Sequence, residues 1–311
     1  MARLGRRLRG RTLRAFSWLV CRLPERPLIV LAERGGDLWY RATPDRAAQA
    51  RRNLGRVVTW LDDRGEGTPL ARAAARDPRA LERMVRLAYR HATRYYLEVA
   101  RTPALSRDDV QTRIEIETVD SVEVAFTPGR PAIFIGLHFG ALELPALYLA
   151  SRVGRAVAPM ETLNDPELQA WFVRTRGTAG VRIVGLREAR RELTAALRAG
   201  ESVGLVGDRD LTGGGVLTAF FGAAARLPLG PALLAIETGA PAYVSAVRRT
   251  SPGRYVGRVE PVTVPTEGSR RDRATATTVA IARAFERVIA DAPEQWWAVF
   301  FPIWPDLETA P

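Results

Sequence analysis

The hydrophobic rhythm of the chain changes near residue 114. Before it, apolar positions recur at helical spacing among many arginines, most clearly over residues 45–58 and 80–100, with a polar loop over 62–69 between them. From residue 114 onward, short apolar runs alternate with helical stretches. The runs 114–118, 132–137, 156–159, 181–184, 202–207, 242–248 and 254–259 predict strands. Residues 143–152, 166–178, 187–199, 228–238 and 272–292 predict helices between or after them. Strand and helix in turn indicate an α/β fold, a central mostly parallel sheet flanked by helices, with an α-helical N-terminal extension. No internal repeat or long linker breaks the chain. Residues 1–113 and 114–311 are therefore expected to be the helical portion and the α/β catalytic core of one compact unit.

The apolar run 132–137 delivers His138, and Glu143 follows five positions later. Pro-Gly-Arg-Pro before the run and Gly140 after it frame a buried strand that ends in a turn. Pro145 has no N–H and is tolerated only in the first turn of a helix, which places the next helix start near 142–144. His138 is then at the carboxyl end of a strand, the edge where open α/β sheets collect their sites. A neutral imidazole can take a proton from a hydroxyl, and a neighbouring carboxylate can hold its tautomer and stabilise the imidazolium. The only other histidine, His91, falls within an ordinary helical pattern.

A second polar cluster ends the run 202–207. Asp208, Arg209 and Asp210 precede a loop containing Gly213, Gly214 and Gly215, which lacks the order of a phosphate-binding or dinucleotide fingerprint. Asp208 is a candidate partner for His138, and Arg209 for an anionic group; a solvated turn is the plain alternative. Phe220 and Phe221 either line an acyl channel or belong to the core. The aromatic stretch 295–305 suits either a wet–apolar boundary or core packing.

Hydrophobic content of 47% in 311 residues supports a substantial core. The net charge is +12 and every basic residue is arginine, which favours anionic partners: phospholipid headgroups, phosphorylated substrates or nucleic acid. The single cysteine, Cys21, excludes an intramolecular disulfide. No segment has the ~20 uninterrupted apolar residues of a membrane span. Residues 1–23 instead mix seven arginines with leucine, phenylalanine and tryptophan, a composition for an anionic membrane surface or for an amphipathic helix packed on the protein.

Several ordered blocks resemble the bacterial acyltransferase family of the lipid A late acyltransferases and the actinobacterial phosphatidylinositol mannoside acyltransferases, more closely the latter. They are residues 48–54, the His138–Glu143 block, Pro159-Met160-Glu161, Arg176 with Gly180, residues 207–211, Phe220 to Gly222, 227–239 and 295–306. The resemblance implies that His138 is the base of a His-x4-acid motif with Glu143 as its acid, that Asp208 is the later carboxylate, and that Glu161 and Arg176 belong to the active-site wall. The mannoside branch usually has Asp at the position of Glu143 and Glu at that of Asp208.

The resemblance also implies O-acyl transfer from an acyl thioester, carried by coenzyme A or a carrier protein, to a hydroxyl of a membrane glycolipid. Glu143 or Asp208 would stabilise the imidazolium, and Arg176 or backbone N–H groups near Gly140 would face the oxyanion. The substrate-binding set is then Glu161, Arg176, Arg209, Phe220 and Phe221. A thiolate leaves readily and no cysteine or histidine cluster is present, so neither metal nor cofactor is expected. The expected protein is a monomer bound peripherally at the cytoplasmic face of the cell membrane, with no nucleic-acid partner. A basic nucleic-acid-binding protein, a lysophospholipid or lipid A-type acyltransferase, and an inactive membrane-bound relative are the competing readings.

Overall fold

The computed structural model describes residues 12–308, except 128 and 212. The part of the membrane reading of 1–23 that falls on residues 1–11 lies outside the described residues. Helix α1 covers 12–20. It is followed by α2 (Glu25–Ala42), α3 (Pro44–Asp62), α4 (Pro69–Arg76) and α5 (Pro78–Arg101). The start of α5 is set by sequence: Pro78 occupies the first turn, and the Asp77 carboxylate accepts the N–H of Arg79 (2.9 Å) and Ala80 (3.1 Å). Its Met84, Val85, Ala88, Tyr89, Ala92 and Tyr95 are buried at helical spacing.

The remainder comprises α6 (Arg107–Arg113), β1 (Ile114–Ile116), α7 (Val119–Ala125), β2 (Ile133–Gly136), α8 (Glu143–Val153), β3 (Ala156–Met160), α9 (Pro166–Thr178) and β4 (Val181–Gly185). Then come α10 (Ala189–Arg198), β5 (Val203–Val206), β6 (Val216–Phe220), β7 (Ala223–Leu227), α11 (Gly230–Thr238), β8 (Ala242–Ser251), β9 (Arg254–Pro261) and α12 (Arg270–Ala290). Seven strands form one sheet in the order β1-β9-β8-β2-β5-β3-β4. Its pairs are parallel except β8 with β9. This is the α/β architecture read from the alternation of strand and helix.

Helices α2, α4, α6 and α7 and one hairpin were not separable in the sequence. The four helices lie in stretches read without a boundary. The β6–β7 hairpin has strands of mixed small and apolar residues, and its turn is Phe221-Gly222, both with positive φ (48° and 75°), a conformation that suits the twist of a two-residue hairpin.

One hydrophobic core joins the two portions of the chain. Leu54 of α3 and Tyr89 of α5 share it with Ile133 and Ile135 of β2, Phe285 of α12, and Trp296 and Trp304 near the C-terminus. Asn53, fully buried on α3, donates to the carbonyls of Val299 and Phe301, both at 2.8 Å, and so fixes the C-terminal segment against the helical portion.

Candidate active site

β2 and β5 are adjacent and parallel, with Gly136 in register with Val206. Two residues beyond each register partner come His138 and Asp208, which are thereby brought side by side at the carboxyl edge of the sheet. His138 Nδ1 lies 2.7 Å from Asp208 Oδ1, and the His138 backbone N–H donates to Oδ2 at 2.9 Å. The Trp296 indole N–H donates to the same Oδ2 at 2.9 Å. Asp208 is 1% exposed. Burial pushes its carboxyl up, but the facing His138 and the hydrogen bonds from His138 and Trp296 outweigh this and hold it below the ordinary carboxylate range. An ionised acceptor on Nδ1 assigns the ring proton to Nδ1 and leaves the lone pair on Nε2. The imidazole keeps 17% of its surface exposed, enough to meet a ligand.

The turn after His138 is held from both sides. Gly140 has φ +51°, and a Cβ there would lie 2.0 Å from the Val247 carbonyl oxygen, so no other residue fits. Its N–H donates to Gln295 O, that of Ala141 to Val247 O, and that of Phe139 to Leu137 O. Trp297 N–H donates back to the His138 carbonyl at 2.9 Å. The backbone N–H groups of Phe139, Gly140 and Ala141 are thus already engaged and do not face an oxyanion.

Glu143 starts α8, within the range read from Pro145, and is 7% exposed. It makes no hydrogen bond to His138 among the described residues. Arg176 of α9 grips it with Nε to Oε2 (2.9 Å) and Nη2 to Oε1 (2.5 Å), and the Tyr95 hydroxyl donates to Oε1 at 3.2 Å. Arg176 Nη1 points to the Met160 sulfur. Arg176 is therefore committed to Glu143, which corrects its reading as an oxyanion donor. Burial, then the charge of Glu143, hold the Tyr95 phenol well above its ordinary range, so it stays a donor. The Tyr95 ring stacks on Trp297 (4.8 Å), and Trp297 meets the His138 ring edge-on (4.6 Å). Glu143 reaches the imidazole through two aromatic rings.

Arg209 is half-buried beside Asp208, with its guanidinium 3.5 Å from the Phe301 ring centre and no salt bridge among the described residues. Burial lowers its proton affinity, and the charges of Asp208 and Glu161 oppose this. Glu161 is exposed just past β3. Glu161 is one of the charges acting on Arg209, with Asp208 the stronger. Asp210 does local work: its carboxylate accepts the N–H groups of Gly213 and Gly215.

Phe220 and Phe221 are not channel residues. They are 0% and 2% exposed and pack against Trp296 and Trp304 in the core. The apolar cavity lies on the opposite side of the sheet, beneath α8 and α9, with a volume of about 110 Å³. Phe134, Leu149, Val181 and Ile183 line it, together with the Glu143–Arg176 pair. Gly136 of β2 and Gly204 of β5 form its floor, and a Cβ on either meets nothing closer than 3.8 Å. Glycine inside a central strand is the signal that could have located this cavity, because it marks a close approach to the sheet. Tyr95 had no comparable signal, since it reads locally as an ordinary helical aromatic, and the aromatic stretch that holds Trp296 and Trp297 did not separate a boundary from core packing. No group of three or more metal-binding side chains occurs among the described residues.

Residues 12–302 match the family model for bacterial lipid A biosynthesis acyltransferases. A phosphatidylinositol mannoside acyltransferase of Mycolicibacterium smegmatis is 30% identical over 266 residues, 84% of this chain and 81% of the relative. One of the same description from Mycobacterium tuberculosis is 30% identical over 290 residues, 91% of this chain and 84% of the relative. The crystal structure of a 1-acyl-sn-glycerophosphate acyltransferase from Thermotoga maritima aligns with a TM-score of 0.38 and 15% identity, covering 85% of this chain and 98% of that one. The match along nearly the whole chain and the two relatives establish that this protein belongs to the bacterial lipid A biosynthesis acyltransferase family and is an acyltransferase.

Proposed function

We propose that the protein moves a fatty acyl chain from an acyl thioester to a hydroxyl of a membrane glycolipid, a phosphatidylinositol mannoside, with His138 as general base. The observation that carries this reading is the buried Asp208 carboxylate on His138 Nδ1, which leaves Nε2 free to accept a proton. The acceptor oxygen attacks the thioester carbonyl carbon as its proton passes to Nε2. Collapse of the tetrahedral intermediate breaks the C–S bond, and the departing thiolate takes the proton from the imidazolium. Asp208 stabilises the imidazolium between the two steps.

The cavity over Gly136 and Gly204 suits the acyl chain, because it is apolar and its lining includes Gly136 and Val206, the last residues of β2 and β5. Arg209, free of any salt bridge among the described residues, suits a phosphate of the donor or of the acceptor headgroup. The acceptor named for both mycobacterial relatives supports the glycolipid assignment.

Membrane contact is supported by two exposed helical faces. Phe16, Trp18 and Leu19 of α1 and Leu31 and Leu38 of α2 are exposed, with Arg14, Arg34 and Arg41 alongside. Leu13 of α1 packs into the cluster that contains Tyr95, Trp171 and Trp297, so this surface adjoins the wall of the site. No described helix is long and apolar enough to cross a membrane.

The test is thiol release from palmitoyl-coenzyme A by the purified protein, with and without a phosphatidylinositol mannoside, for the native chain and His138→Ala. Acceptor-dependent release that disappears in His138→Ala is expected. Undiminished release in the variant removes His138 as the base, and acceptor-independent release removes the glycolipid assignment.

A further inference from the structure

We propose that Trp296 is a positioning residue for the His138–Asp208 pair: its indole N–H anchors Asp208 Oδ2, so that Oδ1 is left to hold the imidazole by Nδ1. Three donors reach the Asp208 carboxylate, and two of them belong to His138 itself, its ring and its backbone N–H. Trp296 supplies the one donor from elsewhere in the chain among the described residues. The carboxylate torsion of an aspartate is soft, so two bonds to the residue being oriented leave the carboxylate and the imidazole free to swing together. A bond to a fixed third group removes that freedom.

Trp296 is such a group. It is 0% exposed, and its ring meets Phe220 and Trp304 edge-on at 5.7 and 6.2 Å. The preceding Gln295 is clamped to β8: its side chain accepts the Arg249 N–H and donates to the Arg249 carbonyl, both at 2.9 Å. Its own carbonyl accepts the Gly140 N–H. The hairpin whose first strand ends at Phe220 is thereby tied to the orientation of the imidazole, although it lies away from the cavity.

The catalytic consequence rests on the acyl-transfer reading; the geometry does not. The test uses nuclear magnetic resonance on the full chain. Because Trp296 and the His138 ring share one carboxylate, the Trp296 indole N–H cross-peak is expected to move in His138→Ala, and a cross-peak that stays in place overturns the inference. Trp296→Phe keeps a ring and deletes the donor. In it the fraction of His138 protonated at Nδ1 is expected to fall, with kcat down about tenfold and KM changed less than about twofold. A folded Trp296→Phe protein whose imidazole remains wholly in the Nδ1–H form also overturns the inference. If this variant does not fold, the His138→Ala spectrum decides. Absence of acyl transfer by the native chain defeats the acyl-transfer reading, while the spectra still decide the role of Trp296.

Discussion

Glu143 and Arg176 are bound to each other at both carboxylate oxygens, 33 residues apart in sequence, and neither bonds to the imidazole that the spacing of His138 and Glu143 seemed to call for. The pair lines the cavity, with Arg176 and Glu143 side chains only 17% and 8% exposed. The two carboxylates near His138 thus have separate tasks, one bonded to the base and one to the wall.

That separation predicts different phenotypes. Asp208→Asn removes the charge facing the imidazole and is expected to lower kcat by about 10²- to 10⁴-fold with little change in KM. Glu143→Gln leaves a buried guanidinium without its counter-charge and is expected to cost about 3 kcal/mol of stability. Glu143→Gln/Arg176→Met should recover part of that loss. Urea denaturation of the three variants, beside steady-state kinetics, checks this; a Glu143→Gln protein as stable as native refutes the division of labour.

The cavity floor predicts a change of chain-length preference. A Cβ on Gly204 has its nearest neighbour, the Phe134 carbonyl oxygen, at 4.0 Å, so a side chain enters the cavity without disturbing the sheet. Gly204→Val is expected to lower kcat/KM for palmitoyl-coenzyme A at least about tenfold while sparing a short-chain donor, since each excluded methylene is worth about 1 kcal/mol or more. Stability should change by no more than about 1 kcal/mol, because valine favours a strand. Kinetics with a series of acyl-coenzyme A donors read the result, and an equal loss at all lengths places the chain elsewhere.

The strand ending at His138 and the strand ending before Asp208 were legible because each is a short apolar run closed by a turn signal, and parallel neighbours put their carboxyl ends together. Which carboxylate meets the imidazole was not legible. Spacing along the chain favours Glu143, whereas contact across β2 and β5 favours Asp208, and only register decides between them. Phe220 and Phe221 were ambiguous because an aromatic pair reads alike in a core and in a channel wall. The cavity was hidden for the opposite reason: it is formed by what Gly136 and Gly204 lack. Arg176 lines the cavity, but its pairing with Glu143 was not legible, since a helix-borne arginine has a reach that sequence does not restrict.

His91, the other histidine, gives a pH prediction away from the site. Its Nδ1 faces Arg249 Nη1 at 3.4 Å, and Arg249 is held by Glu98 through Nε (2.7 Å) and Nη2 (2.6 Å). Burial, then the charges of Arg249 and Arg94, push the folded-state pKa of His91 well below its ordinary 6.5. The unfolded chain therefore binds a proton below pH 6.5 that the folded chain refuses. This stability is complete above pH 6.5 and declines as pH falls towards the depressed value, by up to about 1.4 kcal/mol per pH unit. His91→Gln should flatten that decline between pH 6.5 and 5, measured by urea denaturation at several pH values; an unchanged slope assigns it to other groups.

The block at residues 48–54 acts on the site from a distance, through Asn53. Its side-chain amide donates to the Val299 and Phe301 carbonyls while its Oδ1 accepts from Gln49 at 3.1 Å. Arg52 adds a bond to the Leu307 carbonyl, and Arg56 forms a bidentate pair with Asp306. These contacts secure the segment whose beginning, Gln295 to Trp297, frames His138 and Asp208. Asn53→Ala leaves two carbonyls without that donor and is expected to cost about 3 kcal/mol, since a buried acceptor left unpaired costs about 1–3 kcal/mol. Asn53→Asp has the same shape but points a carboxylate oxygen at two carbonyls, so it should be less stable than Asn53→Ala even though it fills the space. If packing alone mattered, the order would reverse. Denaturation of both variants, with amide exchange at Gly140 and the Trp296 indole as local probes, distinguishes the two: faster exchange at both probes is expected wherever the folded form is retained, because the donor that fixes the end of the chain also fixes the frame around the imidazole.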